Sequence, residues 1–137
     1  KRWLVFASHV MNKSTLPARD RELVILRMGW LCRAEYEWAQ HVVLGRKAGL
    51  TDAEIDRIPD GADAGGWSEK DRALILAADE LKNDAFITDA TWNTLKKSYD
   101  DQQIMDLIFA AGNYNLVSMA LNSLGVQLDP GLEGFKR

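Results

Sequence analysis

Apolar residues along the chain recur at helical rather than strand spacing. After Pro17, the residues Leu23, Val24, Ile25, Leu26, Met28, Trp30 and Leu31 wrap the whole circumference of a segment covering residues 18–31. Proline suits the first turn of a helix, where its fixed φ and missing N–H cost nothing. A helix apolar all round has to be buried centrally or in an oligomer contact. An amphipathic segment over residues 3–11 precedes it, and residues 35–48 form a third helix stopped by Gly49. Thr51-Asp52-Ala53-Glu54 has the spacing of a capping box, in which a hydroxyl and a carboxylate satisfy each other's backbone N–H groups, and so opens a short fourth helix. Ser68-Glu69-Lys70-Asp71 repeats that pattern with a shorter acid and opens a helix through Leu81. Thr88 or Asp89 starts another, to about Tyr99, and Asp100 with Gln103 caps a last long helix that runs to Leu124 before Gly125. No stretch sustains period-2 alternation with β-branched residues. The pattern predicts an all-α fold of six or seven helices in one domain over residues 1–137, with residues 59–66, rich in Gly, Pro and Asp, as an exposed loop between two helical halves.

Composition narrows the function. The 137 residues carry a formal net charge of −3, which offers no basic face to displace counterions from phosphates, so no nucleic-acid partner is expected. Cys32 is the single cysteine, so there is no intrachain disulfide, no C-x-x-C redox pair and no thiolate-rich zinc site; a reducing, cytoplasmic setting is expected. The most apolar stretch, residues 104–121, is broken by Asp106, Asn113 and Asn115, and no membrane span is expected.

Two residues stand out chemically. Glu37 and His41 are four apart on the third helix, so their side chains share one face. A carboxylate beside an imidazole raises its pKa and fixes its tautomer, as a general acid-base catalyst near neutral pH requires. An imidazolium so placed can deliver a proton, and His41 is the expected proton donor and acceptor. Glu22 is a charge on an otherwise apolar helix. Either it is a helix-dipole residue half-exposed in the first turn, or it is a partly buried carboxylate facing Glu37 with a raised pKa that relays a proton. Tyr36 and Trp38 either line a pocket or belong to the core, and Arg33 and Arg27 either bind a substrate carboxylate or are surface charges. Asn113 reads as a helix-helix contact, whereas Tyr114 is open between contact and cavity. His9 reads as packing. Two ligands on one helix fall short of the three that catalytic zinc usually has, so no metal is expected.

Three stretches together carry a family resemblance: residues 21–27 (Arg-Glu-Leu-Val-Ile-Leu-Arg), 35–41 (Glu-Tyr-Glu-Trp-Ala-Gln-His) and 48–55 (Ala-Gly-Leu-Thr-Asp-Ala-Glu-Ile). They resemble the core of the carboxymuconolactone decarboxylase and alkylhydroperoxidase-D superfamily, and residues 114–122 resemble its final helix. The thiol peroxidase branch has a C-x-x-C pair followed four residues later by His, with a Glu twelve residues before the first Cys. In that register Glu22 and His41 match, but Ala34 and Glu37 stand where the two cysteines would be. Cys32 lies two positions outside, so peroxidase activity is not expected. The decarboxylase branch keeps a Glu four residues before the His, as Glu37 and His41 do. The resemblance therefore implies a cofactor-free lyase or isomerase acting on a small organic acid or lactone. His41, Glu37 and Glu22 would be its catalytic residues, with Tyr36, Trp38, Arg33 and Tyr114 about the substrate. It also implies a homo-oligomer, commonly a trimer or hexamer. The other expectation to weigh is a small-molecule-binding member of the fold without catalysis.

Overall fold

The structure is a computed structural model and describes residues 1–136. Seven α-helices form among the described residues: α1 (Arg2–Asn12), α2 (Ala18–Leu31), α3 (Glu35–Ala48), α4 (Asp52–Arg57), α5 (Glu69–Asp84), α6 (Asp89–Leu95) and α7 (Asp101–Ser123). A 3-10 turn, Ile58–Asp60, follows α4, and no strand occurs among the described residues. The all-α expectation holds.

The helix that is apolar all round is the centre of the fold. α2 packs against α3, α5 and α7, and Leu23, Val24, Ile25 and Leu26 keep no exposed surface. Burying such a side chain stabilises by roughly 1.5–3 kcal/mol, so these four residues alone tie the three neighbouring helices to one axis. α6 packs on α5, and α1 packs on α7 with Val10 as its buried residue. The loop over residues 59–66 is less exposed than its composition predicts: Arg27, itself buried, donates from Nη1 to the carbonyls of Ile58 and Pro59 at 2.8 and 3.2 Å.

The caps show where local chemistry decides and where tertiary chemistry overrules it. The boxes at Thr51 with Glu54 and at Asp100 with Gln103 are both complete, each with its two reciprocal hydrogen bonds. At Ser68 only half of the expected box forms. Ser68 Oγ accepts from the Asp71 N–H at 3.0 Å, but the Asp71 carboxylate takes both Nη atoms of Arg19, each at 2.9 Å. A bidentate pair with a guanidinium outweighs one backbone N–H. Similarly α6 ends at Leu95 rather than near Tyr99. Lys97 and Ser98 bond back only three residues, and Tyr99 turns inward to donate to Asp20 at 2.5 Å.

Candidate functional site: a buried carboxylate–imidazole–carboxylate seam

α2 and α3 are joined by three residues and run against each other along most of their length. Their close approach depends on Gly45. A Cβ there would lie 3.0 Å from Leu50 Cδ1 and 3.3 Å from Leu26 Cδ1, with Glu22 Cβ at 3.8 Å. One turn before that glycine stands His41, opposite Glu22.

The imidazole is held on both sides. His41 Nδ1 lies 2.5 Å from Glu22 Oε2, and Nε2 lies 2.8 Å from Glu37 Oε1. Glu22, His41 and Glu37 are 1%, 5% and 6% exposed. Glu22 therefore does not face Glu37 directly, contrary to the expectation from sequence: the ring stands between the carboxylates, and each oxygen faces a different nitrogen. Nor is Glu22 a half-exposed dipole residue. Glu22 Oε1 also accepts from Arg21 Nη2 at 3.3 Å, while Arg21 Nε is buried without a hydrogen-bond partner.

The electrostatics follow from this geometry. Burial pushes the His41 imidazolium pKa down, but the hydrogen bonds and charges of Glu22 and Glu37 outweigh it and lift the pKa to about 9. With the pKa lifted this far, both ring nitrogens carry protons and the ring is an imidazolium at neutral pH, each N–H facing a carboxylate. Both nitrogens being engaged, His41 has no lone pair turned toward a metal, and among the described residues no group of three or more His, Cys, Asp or Glu side chains is placed to hold one. The Tyr114 ring meets His41 edge-on at 4.8 Å and 80°. Burial first, and then the charges of Glu37 and Glu22, push the Tyr114 phenol pKa up, so it stays protonated; its O–H donates to Met11 Sδ at 2.9 Å.

The structure unites Glu22, Glu37, His41 and Tyr114, and places the other expected contact residues elsewhere. Trp38 belongs to an aromatic cluster with Trp30 and Phe135 and lines a groove of about 640 Å³ with Ala39, Val42, Val43 and Arg46. Trp38, Val42 and Ala39 lie about 60°, 100° and 160° around the helix from His41, and His41, Glu37 and Glu22 do not line this groove, so it flanks the seam and is separate from it. Arg33 stacks over Trp30 at 4.6 Å, and Tyr36 donates to Asp129 at 3.3 Å; both line a separate shallow hollow. Arg27 is neither substrate ligand nor surface charge, being buried in a pair with Asp79 at 2.6 Å. Asn113 makes the expected helix-helix contact, accepting from Trp3 Nε1 at 3.2 Å. His9 lies with Phe6 and Val10 at the edge of α1. Sequence reasoning missed Arg21 and Gly45. The signal for Arg21 was its place beside Glu22, whereas Gly45 gives none before the helices are paired.

The fold is that of helical domains of the AhpD-like type. A protein of unknown function from Agrobacterium tumefaciens, grouped with the antioxidant defence protein AhpD, superimposes with a TM-score of 0.81 at 20% identity, over 92% of this chain and 87% of that one. An uncharacterised peroxidase-related protein from Silicibacter sp. TM1040 gives 0.83 at 14% identity, over 94% and 69%. A peroxidase-related protein with an AhpD core from Ralstonia eutropha JMP134 gives 0.82 at 14%, over 94% and 70%. These likenesses concern the fold alone. The sequence profile of the carboxymuconolactone decarboxylase family matches residues 1–80, and the chain belongs to that family. No curated protein matches it by sequence.

Ala34 and Glu37 occupy the positions of the thiols in the peroxidase branch. Cys32 is half-buried with its thiol 3.3 Å from Asn115 Oδ1, and burial pushes its pKa up, away from the thiolate that attacks peroxides.

Proposed function

We propose that the protein is a cofactor-free acid–base enzyme that decarboxylates or isomerises a small organic acid or lactone. The observation that supports this best is the imidazolium of His41, held on both nitrogens by buried carboxylates. Its pKa near 9 keeps a proton available on a nearly dry ring at neutral pH. In a decarboxylation the bond to the carboxyl carbon breaks, carbon dioxide leaves, and the electron pair moves onto carbon as a carbanion or its enolate. His41 delivers the proton that quenches it, and Glu37, the more exposed of the two carboxylates, returns a proton from solvent. Glu22, held by Arg21, keeps the ring oriented and its charge balanced. The buried, unpaired Nε of Arg21 is the donor that a substrate carboxylate would take.

A second reading is a binding member of the fold without chemistry. It is favoured by the near-complete burial of the seam and by the separate groove beside Trp38, which His41 does not line.

Both readings are tested by a thermal-shift screen of wild type, His41→Gln and Cys32→Ser against small carboxylic acids, lactones and phenolic acids, with mass spectrometry of each stabilising compound. Loss of carbon dioxide or rearrangement with wild type and Cys32→Ser, but not His41→Gln, is the expected result. Ligands that bind all three forms and emerge unchanged would leave the binding reading standing and remove the enzymatic one.

A further inference from the structure

We infer that the groove beside Trp38 binds a small molecule in which a short linker joins an aromatic ring to an ammonium group, and that the protein's own Phe135 and Lys136 hold the ring and cation positions as a displaceable strap. At about 640 Å³ the groove falls within the roughly 300–1,000 Å³ usual for small-molecule pockets. Trp38, Val42 and Val43 of α3 form one wall and Ile55 and Pro59 another, while residues 131–134 and Lys136 close the third side. None of Glu22, Glu37 and His41 lines it, so the inference stands apart from the acid–base reading.

The resident contacts define the ligand. Phe135 meets Trp30 edge-on, with ring centroids 4.9 Å apart and planes at 79°, and lies tilted against Trp38 at 5.6 Å and 59°. Both indoles line the groove, so together they offer one aromatic ring the offset and edge-on contacts that such rings prefer. Beside that slot Lys136 Nζ meets Asp56 Oδ1 at 2.8 Å, on the α4 wall. The surrounding charge agrees. Asp56, Asp60 and Glu133 line the groove and Glu35 lies against the strap. Arg46 is the lining cation outside the strap, and Asp52 already holds it at 2.7 Å. Complementarity therefore favours an ammonium and opposes a carboxylate. An extended peptide fits less well than a small molecule. Among the described residues, no backbone–backbone hydrogen bond joins residues 129–136 to a helix, so a peptide has no ladder to extend.

The strap is lightly held. Asp129 lays it along α3 by accepting from Gln40 Nε2 at 2.6 Å and from the Tyr36 hydroxyl at 3.3 Å, both exposed bonds. Gly131, at φ +86°, turns the chain toward the groove, and Gly134 lets the backbone press on Glu35, whose Oε1 would lie 3.0 Å from a Cβ there. Glu35 Oε1 also accepts from the Phe135 N–H at 3.3 Å. The Lys136–Asp56 pair is exposed on both sides, at 65% and 53%, and such pairs contribute little. Closure thus falls mainly to one partly buried ring. A closure this modest leaves the open form populated at roughly 0.1–10%. A ligand that needs the open form binds more weakly by that fraction.

The test is isothermal titration calorimetry of the full chain with phenylbutylamine, with the indole N–H signals of Trp30 and Trp38 followed by NMR. Phe135→Ala empties the ring slot from a partly exposed position on the strap. It should bind the amine about 10-fold or more tightly than wild type, with both indole signals moving. Phenylbutyrate, with the same ring and the opposite charge, should bind at least about 10-fold more weakly than the amine. Asp56→Asn in the Phe135→Ala background should shrink that preference several-fold. Equal affinity of wild type and Phe135→Ala for the amine overturns the strap. A Phe135→Ala form that ignores the amine, a preference for phenylbutyrate, or an amine preference untouched by Asp56→Asn overturns the ligand class. So does binding of acetyl-Gly-Phe-Lys-amide without binding of phenylbutylamine, which would make the groove a peptide-docking site.

Discussion

Asp20 and Glu22 leave the same helix two residues apart and are buried alike, at 2% and 1% exposure, yet they enter opposite kinds of environment. Asp20 is surrounded by groups that do not change charge near neutrality. It accepts from Tyr99 at 2.5 Å, Lys70 at 3.2 Å and Arg19 at 3.1 Å. Arg19 in turn grips Asp71 and Glu54, and those acids push its pKa up. Burial and then Asp20 likewise push the Tyr99 phenol pKa up. Glu22 instead meets an imidazole, whose proton can come and go. Burying charge needs compensation in both places, but permanent cations make a fixed strut, and a titratable partner makes a site able to exchange protons. Of two buried acids on one helix, the partner distinguishes the structural one from the chemical one.

The largest effect is expected on the strut. Asp20→Ala strands Tyr99, Lys70 and Arg19 around a lost acceptor and should cost about 3–5 kcal/mol in urea unfolding. A loss under 1 kcal/mol would mean the cluster is solvated in a way its burial denies. Next is the response to pH. The folded pKa of His41, about 9, lies above its ordinary value of 6.5, so its contribution is complete below pH 6.5 and vanishes as pH rises through 9. Unfolding free energies measured between those limits should fall by about 3 kcal/mol in wild type. The same slope in His41→Gln would assign the effect elsewhere, whereas Asp20→Ala should keep it. Gly45→Ala should cost about 1–3 kcal/mol by crowding Leu50 and Leu26; it should reduce turnover as α3 shifts from Glu22, and full activity would show that the seam tolerates the displacement. The smallest effect belongs to Tyr114→Phe, which removes the bond to Met11 and should cost roughly 0.5–1.5 kcal/mol in the same assay.

Helix boundaries set by local chemistry were readable from the chain. α2 and α3 begin and end where Pro17 and Gly49 place them, and both complete capping boxes were visible as four-residue patterns. Reading failed where a distant residue competes for the same group. Asp71 looked like the acid of a box but serves Arg19, and Tyr99 looked like the end of a helix but serves Asp20. In the site, the spacing of Glu37 and His41 implied their contact, and the family resemblance brought in Glu22. That the ring separates the carboxylates depends on the offset between α2 and α3, which Gly45 sets and no local pattern announces. Trp38 shares its helix with His41, but only the packed structure shows that it lines a groove to which His41 does not contribute.

The three-residue link between α2 and α3 also bears on how the chain finds its fold. Glu22 and His41 are nineteen positions apart, so closing the loop between them sacrifices little chain entropy, and the hydrophobic side chains beneath them belong to the same short hairpin. Contacts this local are favoured early in folding. The seam would then assemble before α7 docks on it, and substitutions such as Leu26→Ala would slow the folding rate itself, with φ-values well above those of α6 or α7.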